Sequence, residues 1–217
     1  MTAWIEIQQL VNLAIPSVAA NALDMSLWVV DVMMLGLLGR GHLAAGSIGI
    51  SIFCILWIFI EGFLTSQETL SAQAVGLRED RERNRWTCVS FLSVGILCAG
   101  ETLVLLMAPL AISHILPSNS HMAFKVAQQV LLLIPALWFM ALFKVIEKHF
   151  QSQNIMLPSL YCAAVGAFIN FSLNYVLMFV AGIGFIGCSL STVVARLTML
   201  ALMLWLLKQS PDGEKYV

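Results

Sequence analysis

Four residues on one face of an otherwise apolar stretch are the first candidates for chemistry. Asn21, Asp24, Trp28 and Asp31 follow the spacing i, i+3, i+7 and i+10. At ~3.6 residues per turn of helix they line a single side. Asp31 lies in VVDVMMLG, with apolar residues before and after it. A carboxylate in such surroundings carries a proton, holds a sodium ion, or bonds a neighbouring helix. Asn170 and Asn174 are one turn apart in INFSLNYVLMF. Two amides on one apolar helix either bond between helices or offer oxygens to a hard cation. Thr192 and Arg196 are again one turn apart. A lone threonine in an apolar helix commonly bonds its own backbone. Arg196 needs a carboxylate partner or a route to an interface, and spacing alone leaves that partner open.

Other polar groups are less directed. Glu61 and Glu68 share a face seven residues apart, as a solvated vestibule would require. Glu101 is isolated and receives no role. Pro16 and Pro135 interrupt apolar runs, where proline makes a bending point. The five cysteines and four histidines do not fall at metal-ligand or disulfide-framework spacings. No glycine-rich phosphate loop, HExxH or serine elbow is present. The residues therefore predict no enzyme and no cofactor.

The elements that must position these residues are membrane spans. Of 217 residues, 60% are hydrophobic and 11% charged, against ~45–50% and ~25% in soluble domains. Mean hydropathy is +0.90. These figures exclude an ordinary cytosolic enzyme, a disordered chain and a nucleic-acid binder. About 20 apolar residues span a bilayer. Six such stretches are marked at about residues 10–38, 43–65, 86–108, 124–143, 158–180 and 186–207. The predicted class is all-α: a polytopic integral membrane protein with the lipid bilayer as its surroundings.

The connections carry the orientation. Gly39–His42 reads as a tight turn, Leu77–Trp86 as a short charged loop, and Leu116–Ser120 as a turn. Lys144–Leu157 reads as a longer polar loop, Ala181–Gly187 as a glycine-rich one, and KQSPDGEKYV as a polar tail. One side holds eight Lys and Arg residues (Arg78, Arg81, Arg83, Arg85, Lys144, Lys148, Lys208 and Lys215), the other Arg40 and Lys125. Basic residues mark the cytoplasmic side, so both termini are expected there, in a plasma or inner membrane. The N-terminus lacks a basic n-region, so no cleaved signal peptide is expected. Similar depths within the bilayer would let Asp31, Asn170, Asn174 and Thr192 converge.

Several stretches together resemble a known family. IPSVAANALDMSLWVVDVMMLGLLG followed by LAAGSIG, then SQETLSAQAVG, Pro135 with QSQNIMLP, INFSLNYVLMF, and GIGFIGCSLSTVVAR look like segments of the multidrug and toxic compound extrusion (MATE) transporters. The resemblance covers nearly the whole chain. It implies an antiporter that exports organic, often cationic compounds in exchange for protons or sodium. It also implies twelve helices in two six-helix lobes, of which this chain resembles the N-terminal one. A second six-helix lobe is then a missing partner. Asp31 matches the family's acidic residue in helix 1, Asn170 an amide and Thr192 a hydroxyl of its proposed cation site. Asn174 stands where some members carry Asp. Pro16 matches a proline linked with bending of helix 1. Asn21, Asp24 and Arg196 are secondary candidates from the residue reading. The competing expectation is a non-transporting membrane fragment or subunit whose buried polar groups are structural.

Overall fold

A computed structural model describes residues 2–115 and 120–209; within α1, the side chains of residues 2, 3, 5, 6, 9 and 12 are left out. The helices run α1 Thr2–Leu37, α2 Arg40–Gly76, α3 Asp80–Ile115, α4 Ser120–Leu132, α5 Ile134–Gln151, α6 Leu157–Tyr175 and α7 Phe185–Gln209. A π-helical turn, Val176–Val180, extends α6. Counting α4 with α5, and α6 with its π turn, six helical stretches among the described residues are long and apolar enough to cross a membrane. Lys208 and Gln209 of the expected tail are the last residues of α7; the rest of the tail and residues 116–119 of the expected turn lie outside the described residues.

The helices are longer than hydropathy alone marks, because polar residues at their ends remain helical. Leu77–Trp86 was expected as a loop; only Leu77–Glu79 leave the helices, with Arg78 at φ 59°. Asp80 and Glu82 then open α3, where negative charge suits the helix N-terminus. Arg83 is buried and bonded to Asp80 at 2.8 Å, so this stretch is not a solvated loop. Lys144–Leu157 needs the same correction. The helix continues to Gln151, and Lys144, Glu147 and His149 are all buried in it. This end of α5 is enclosed on nearly every side, since Phe143, Val145, Ile146 and Phe150 are buried as well, and Lys144 Nζ lies 2.6 Å from Glu147.

Proline places the breaks. Pro135 cannot donate a backbone hydrogen bond, and the expected fourth span is divided at Leu133 into α4 and α5. Pro158 occupies the first turn of α6, where its missing N–H costs nothing. α1 runs through Pro16 and α3 through Pro109 to Ile115 without a break in helix. Gly182 and Gly184 take φ of 68° and 63°, conformations that turn the chain from α6 into α7.

Packing leaves an apolar exterior. Val18, Met25, Val29 and Met33 on α1, and Leu92, Ile96 and Leu103 on α3, are among many large exposed apolar side chains. A water-soluble domain would not show so much contiguous apolar surface, whereas lipid is its natural solvent. The interior holds three apolar clusters, one around Phe53, Leu137 and Met140, one around Leu27, Phe143 and Met199, and one around Leu35, Val126 and Phe185. Close contact between α6 and α7 depends on glycine. A Cβ on Gly166 would stand 2.5 Å from Met199 Cγ, and one on Gly187 would stand 3.1 Å from the Leu177 backbone. This proximity brings the polar residues of α6 and α7 together.

Candidate functional site

Asp31 is 1% exposed, and Asn170, Asn174 and Thr192 are fully buried. The first comes from α1, the amides from α6 and the hydroxyl from α7. Asp31 Oδ1 accepts from Asn174 Nδ2 at 2.7 Å and from Asn170 Nδ2 at 3.1 Å. Asp31 Oδ2 accepts from Thr192 Oγ1 at 2.5 Å. Asn174 Nδ2 also lies 3.2 Å from Asn170 Oδ1, and Asn170 Nδ2 lies 3.4 Å from Thr192 Oγ1. The four residues that spacing and depth placed at one level thus form one connected network.

Ser191 completes it and was missed by the sequence reading. Its hydroxyl donates to Asn174 Oδ1 at 2.7 Å while remaining close to the Cys188 carbonyl. Adjacent residues on a helix point about 100° apart, so Thr192 faces Asp31 and Ser191 faces Asn174. The Ser191–Thr192 pair was the available signal. Six side-chain oxygens therefore lie in this cluster, belonging to Asp31, Asn170, Asn174, Ser191 and Thr192. Both carboxylate oxygens receive donors, which compensates a buried negative charge without a basic partner in direct contact. To face a cation, the two amides would have to rotate their oxygens inward. Among the described residues, no group of three or more His, Cys, Asp or Glu could hold a metal ion, and this network contains one carboxylate.

The secondary candidates separate into a different cluster. Arg196 is 1% exposed and its Nη1 bonds Asp24 Oδ1. The guanidinium also lies 5.6 Å from the Trp28 ring centre, within the range of a cation–π contact. The face Asn21–Asp24–Trp28–Asp31 thus serves two purposes, with Asp31 turned to the amide network and Asp24 to Arg196. Asp24 Oδ2 is 4.0 Å from Lys144 Nζ, and Lys144 continues to Glu147. Lys144 was missed because it was placed in a loop. The spacing of Lys144, Lys148 and Gln151 carried a helical signal. Asn21 bonds none of these groups; it lines a cleft of about 340 Å³ with Asp24, Trp57, Glu61 and Lys144. Glu68 bonds Lys148 at 2.8 Å, with Glu61 4.0 Å from the same nitrogen. Glu101 is buried, and neither of its carboxyl oxygens has a hydrogen-bond partner.

The fold and this interior define a polytopic α-helical integral membrane protein with a buried polar site at the junction of three helices. Its family follows from comparison. The MatE family model matches residues 16–176, and the chain belongs to that family. It is 26% identical over 216 residues to Protein DETOXIFICATION 16 of Arabidopsis thaliana, covering 95% of this chain and 43% of that protein. It is 25% identical over 214 residues to multidrug and toxin extrusion protein 1 of Xenopus tropicalis, covering 94% of this chain and 35% of that one. The crystal structure of the eukaryotic MATE transporter AtDTX14 superposes with a TM-score of 0.90 at 23% identity, over 98% of this chain and 48% of that one. A MOP superfamily transporter from Pyrococcus furiosus gives 0.82 at 16% identity, over 94% and 45%. The chain thus spans less than half the length of these relatives. Both of these solved structures are of transporters.

Proposed function

We propose that this chain is the ion-coupling lobe of an antiporter that exports organic, often cationic compounds in exchange for protons or sodium. One observation carries the reading: a single buried carboxylate, Asp31, is held by donors from two other helices. Membership of the MatE family supports it. A second six-helix lobe is the proposed partner, since the relatives are more than twice as long. Substrate would then pass between the lobes by alternating access.

The proton is the coupling species we favour. Protonating Asp31 turns one acceptor oxygen into a donor. That oxygen must then lose a donor or find an acceptor. On Oδ2 an acceptor is at hand: the new hydroxyl can donate to Thr192 Oγ1 while the threonine turns its own proton to the Cys188 carbonyl, 3.1 Å away. On Oδ1 the proton would displace the amide donors, and Asn174 could offer its oxygen only by rotating, which breaks its links to Asn170 and Ser191. A single proton on Oδ2 would in this way cancel the negative charge at the contact of α1 with α6 and α7. Sodium would require rotation of the amides and would be held by one carboxylate and neutral oxygens.

The deciding experiment is the thermal stability of the purified protein against sodium and against pH. The antiport reading expects stability to respond to at least one of them, and expects the response to vanish in Asp31→Asn. A protein indifferent to both would leave the network a packing device, as in a non-transporting subunit. Asn174→Asp supplies a complementary result. A second carboxylate beside Asp31 adds charge that only a bound cation or proton can neutralise. The sodium concentration for half-maximal stabilisation should fall by about tenfold or more, a modest return for one added charge at close range. An unchanged midpoint would count against sodium reaching this cluster.

Orientation belongs to the same proposal. With both termini cytoplasmic, a membrane-impermeant maleimide should label Ser120→Cys in intact cells and fail to label Asn84→Cys. Replacement of the native cysteines, including exposed Cys88, makes the signal specific. Labelling of residue 84 from outside would reverse the topology.

A further inference from the structure

The end of the bundle at the α1–α2 turn carries charge of one sign. Arg40, His42, His121 and Lys125 line a cavity of about 340 Å³ there, together with Gly39 and Gly41. They come from the start of α2 and the start of α4. Lys125 Nζ stands 2.9 Å from His42 Nε2, so two bases meet directly, with the imidazole nitrogen accepting from the ammonium. The His42 ring also packs against Phe185 at the start of α7, with centroids 5.9 Å apart.

Among the described residues, no acid pairs with this cluster. The sequence holds no Asp or Glu from Val32 to Ile60, from Thr102 to Ile146, or from Lys148 to Pro211. These stretches include every residue that lines the cavity and the element packed on His42. The backbone beside the cluster is open as well. Nothing lies within 4 Å of where a Cβ would stand on Gly39 or Gly41, and no side chain caps the start of α2. Elsewhere among the described residues, the buried or half-buried Arg83, Lys144, Lys148 and Arg196 each have a carboxylate within 4.0 Å, whereas the exposed Arg78, Arg81 and Lys208 form no such pair.

We propose that this cavity binds a phosphate-type anion at the membrane boundary: the phosphate of an anionic lipid headgroup or free inorganic phosphate. Arg40 and Lys125 supply the charge, the two histidines supply further nitrogen contacts, and the two glycines let the anion approach the backbone. Leu37 and Phe124, next to the cavity on α1 and α4, are 72% and 66% exposed. They offer apolar surface for an acyl chain below a bound headgroup. The inference is independent of ion coupling, since none of these residues touches the Asp31 network.

The test is native mass spectrometry of the purified protein, offered phosphatidylglycerol or phosphatidylcholine in mixed micelles and, separately, inorganic phosphate. Preferential retention of phosphatidylglycerol assigns a lipid headgroup. Saturable retention of phosphate without lipid preference assigns the free anion. In either case Lys125→Gln and Arg40→Gln should each weaken retention by about fivefold, the usual worth of one basic residue near a membrane surface. Lys208→Gln, at the far end of α7, should change nothing, and Lys125→Arg should retain binding. Arg40 is exposed, so its variant keeps the test intact if Lys125→Gln fails to fold. Equal retention of both lipids with no phosphate binding, or equal losses in the Lys208 and Arg40 variants, would overturn the proposal.

Discussion

Replacing Asp31 with asparagine is expected to reduce efflux to background while the protein still folds. The argument separates charge from shape. Asparagine keeps an oxygen where Oδ1 now accepts from Asn170 and Asn174. Its amide nitrogen would take the place of Oδ2 and donate to Thr192 Oγ1. The threonine hydroxyl would turn to the Cys188 carbonyl, already 3.1 Å away. Nearly every bond in the network can thus be kept, but neither proton binding nor a negative charge survives. Transport should be measured in membranes where the wild-type chain supports efflux, with the melting temperature followed in parallel. Asp31→Ala should behave differently: it strands up to three buried donors at about 1–3 kcal/mol each and should lower stability as well as activity. Efflux by Asp31→Asn at the wild-type rate would remove Asp31 from the coupling mechanism.

The amide network was legible in the sequence because it depends on short-range geometry. Spacings of four residues in Asn170–Asn174 fix a face whatever the tertiary arrangement, and a carboxylate flanked by valines and methionines must find donors somewhere. Depth arithmetic then suffices to bring α1, α6 and α7 to one level. The Asp24–Arg196 pair was less accessible. It depends on how α1 and α7 are rotated against each other, which hydropathy does not encode. Lys144 and Glu147 were lost for another reason. A charged segment after an apolar run reads as a loop, yet α5 extends beyond its apolar half and buries those charges against one another. Ser191 escaped because a serine in an apolar helix usually satisfies itself on its own backbone, and here it does so while also holding Asn174.

The Arg196–Asp24 pair, which continues through Lys144 to Glu147, should show an unequal response to loss of its two members. Asp24→Asn leaves the Arg196 guanidinium, 1% exposed, without a carboxylate. Its Nε and Nη2 already lack hydrogen-bond partners, and the Trp28 face alone does not replace an ion pair. Removing one partner of a buried pair typically costs about 3–5 kcal/mol, so this variant should be strongly destabilised. Arg196→Met is milder. Asp24 has a side chain 17% exposed and Lys144 Nζ at 4.0 Å, so its charge retains both water and a cation. Methionine fills the stem's volume beside Met199 and Trp28 without a charge to solvate. A loss of about 1–2 kcal/mol is expected, near the worth of one charged hydrogen bond. The double variant Asp24→Asn with Arg196→Met should recover most of the loss of Asp24→Asn alone, because the stranded guanidinium is gone. Denaturation midpoints of the four proteins form a double-mutant cycle. Equal losses in the two single variants, or a double variant as unstable as their sum, would mean that Arg196 is held by something other than Asp24.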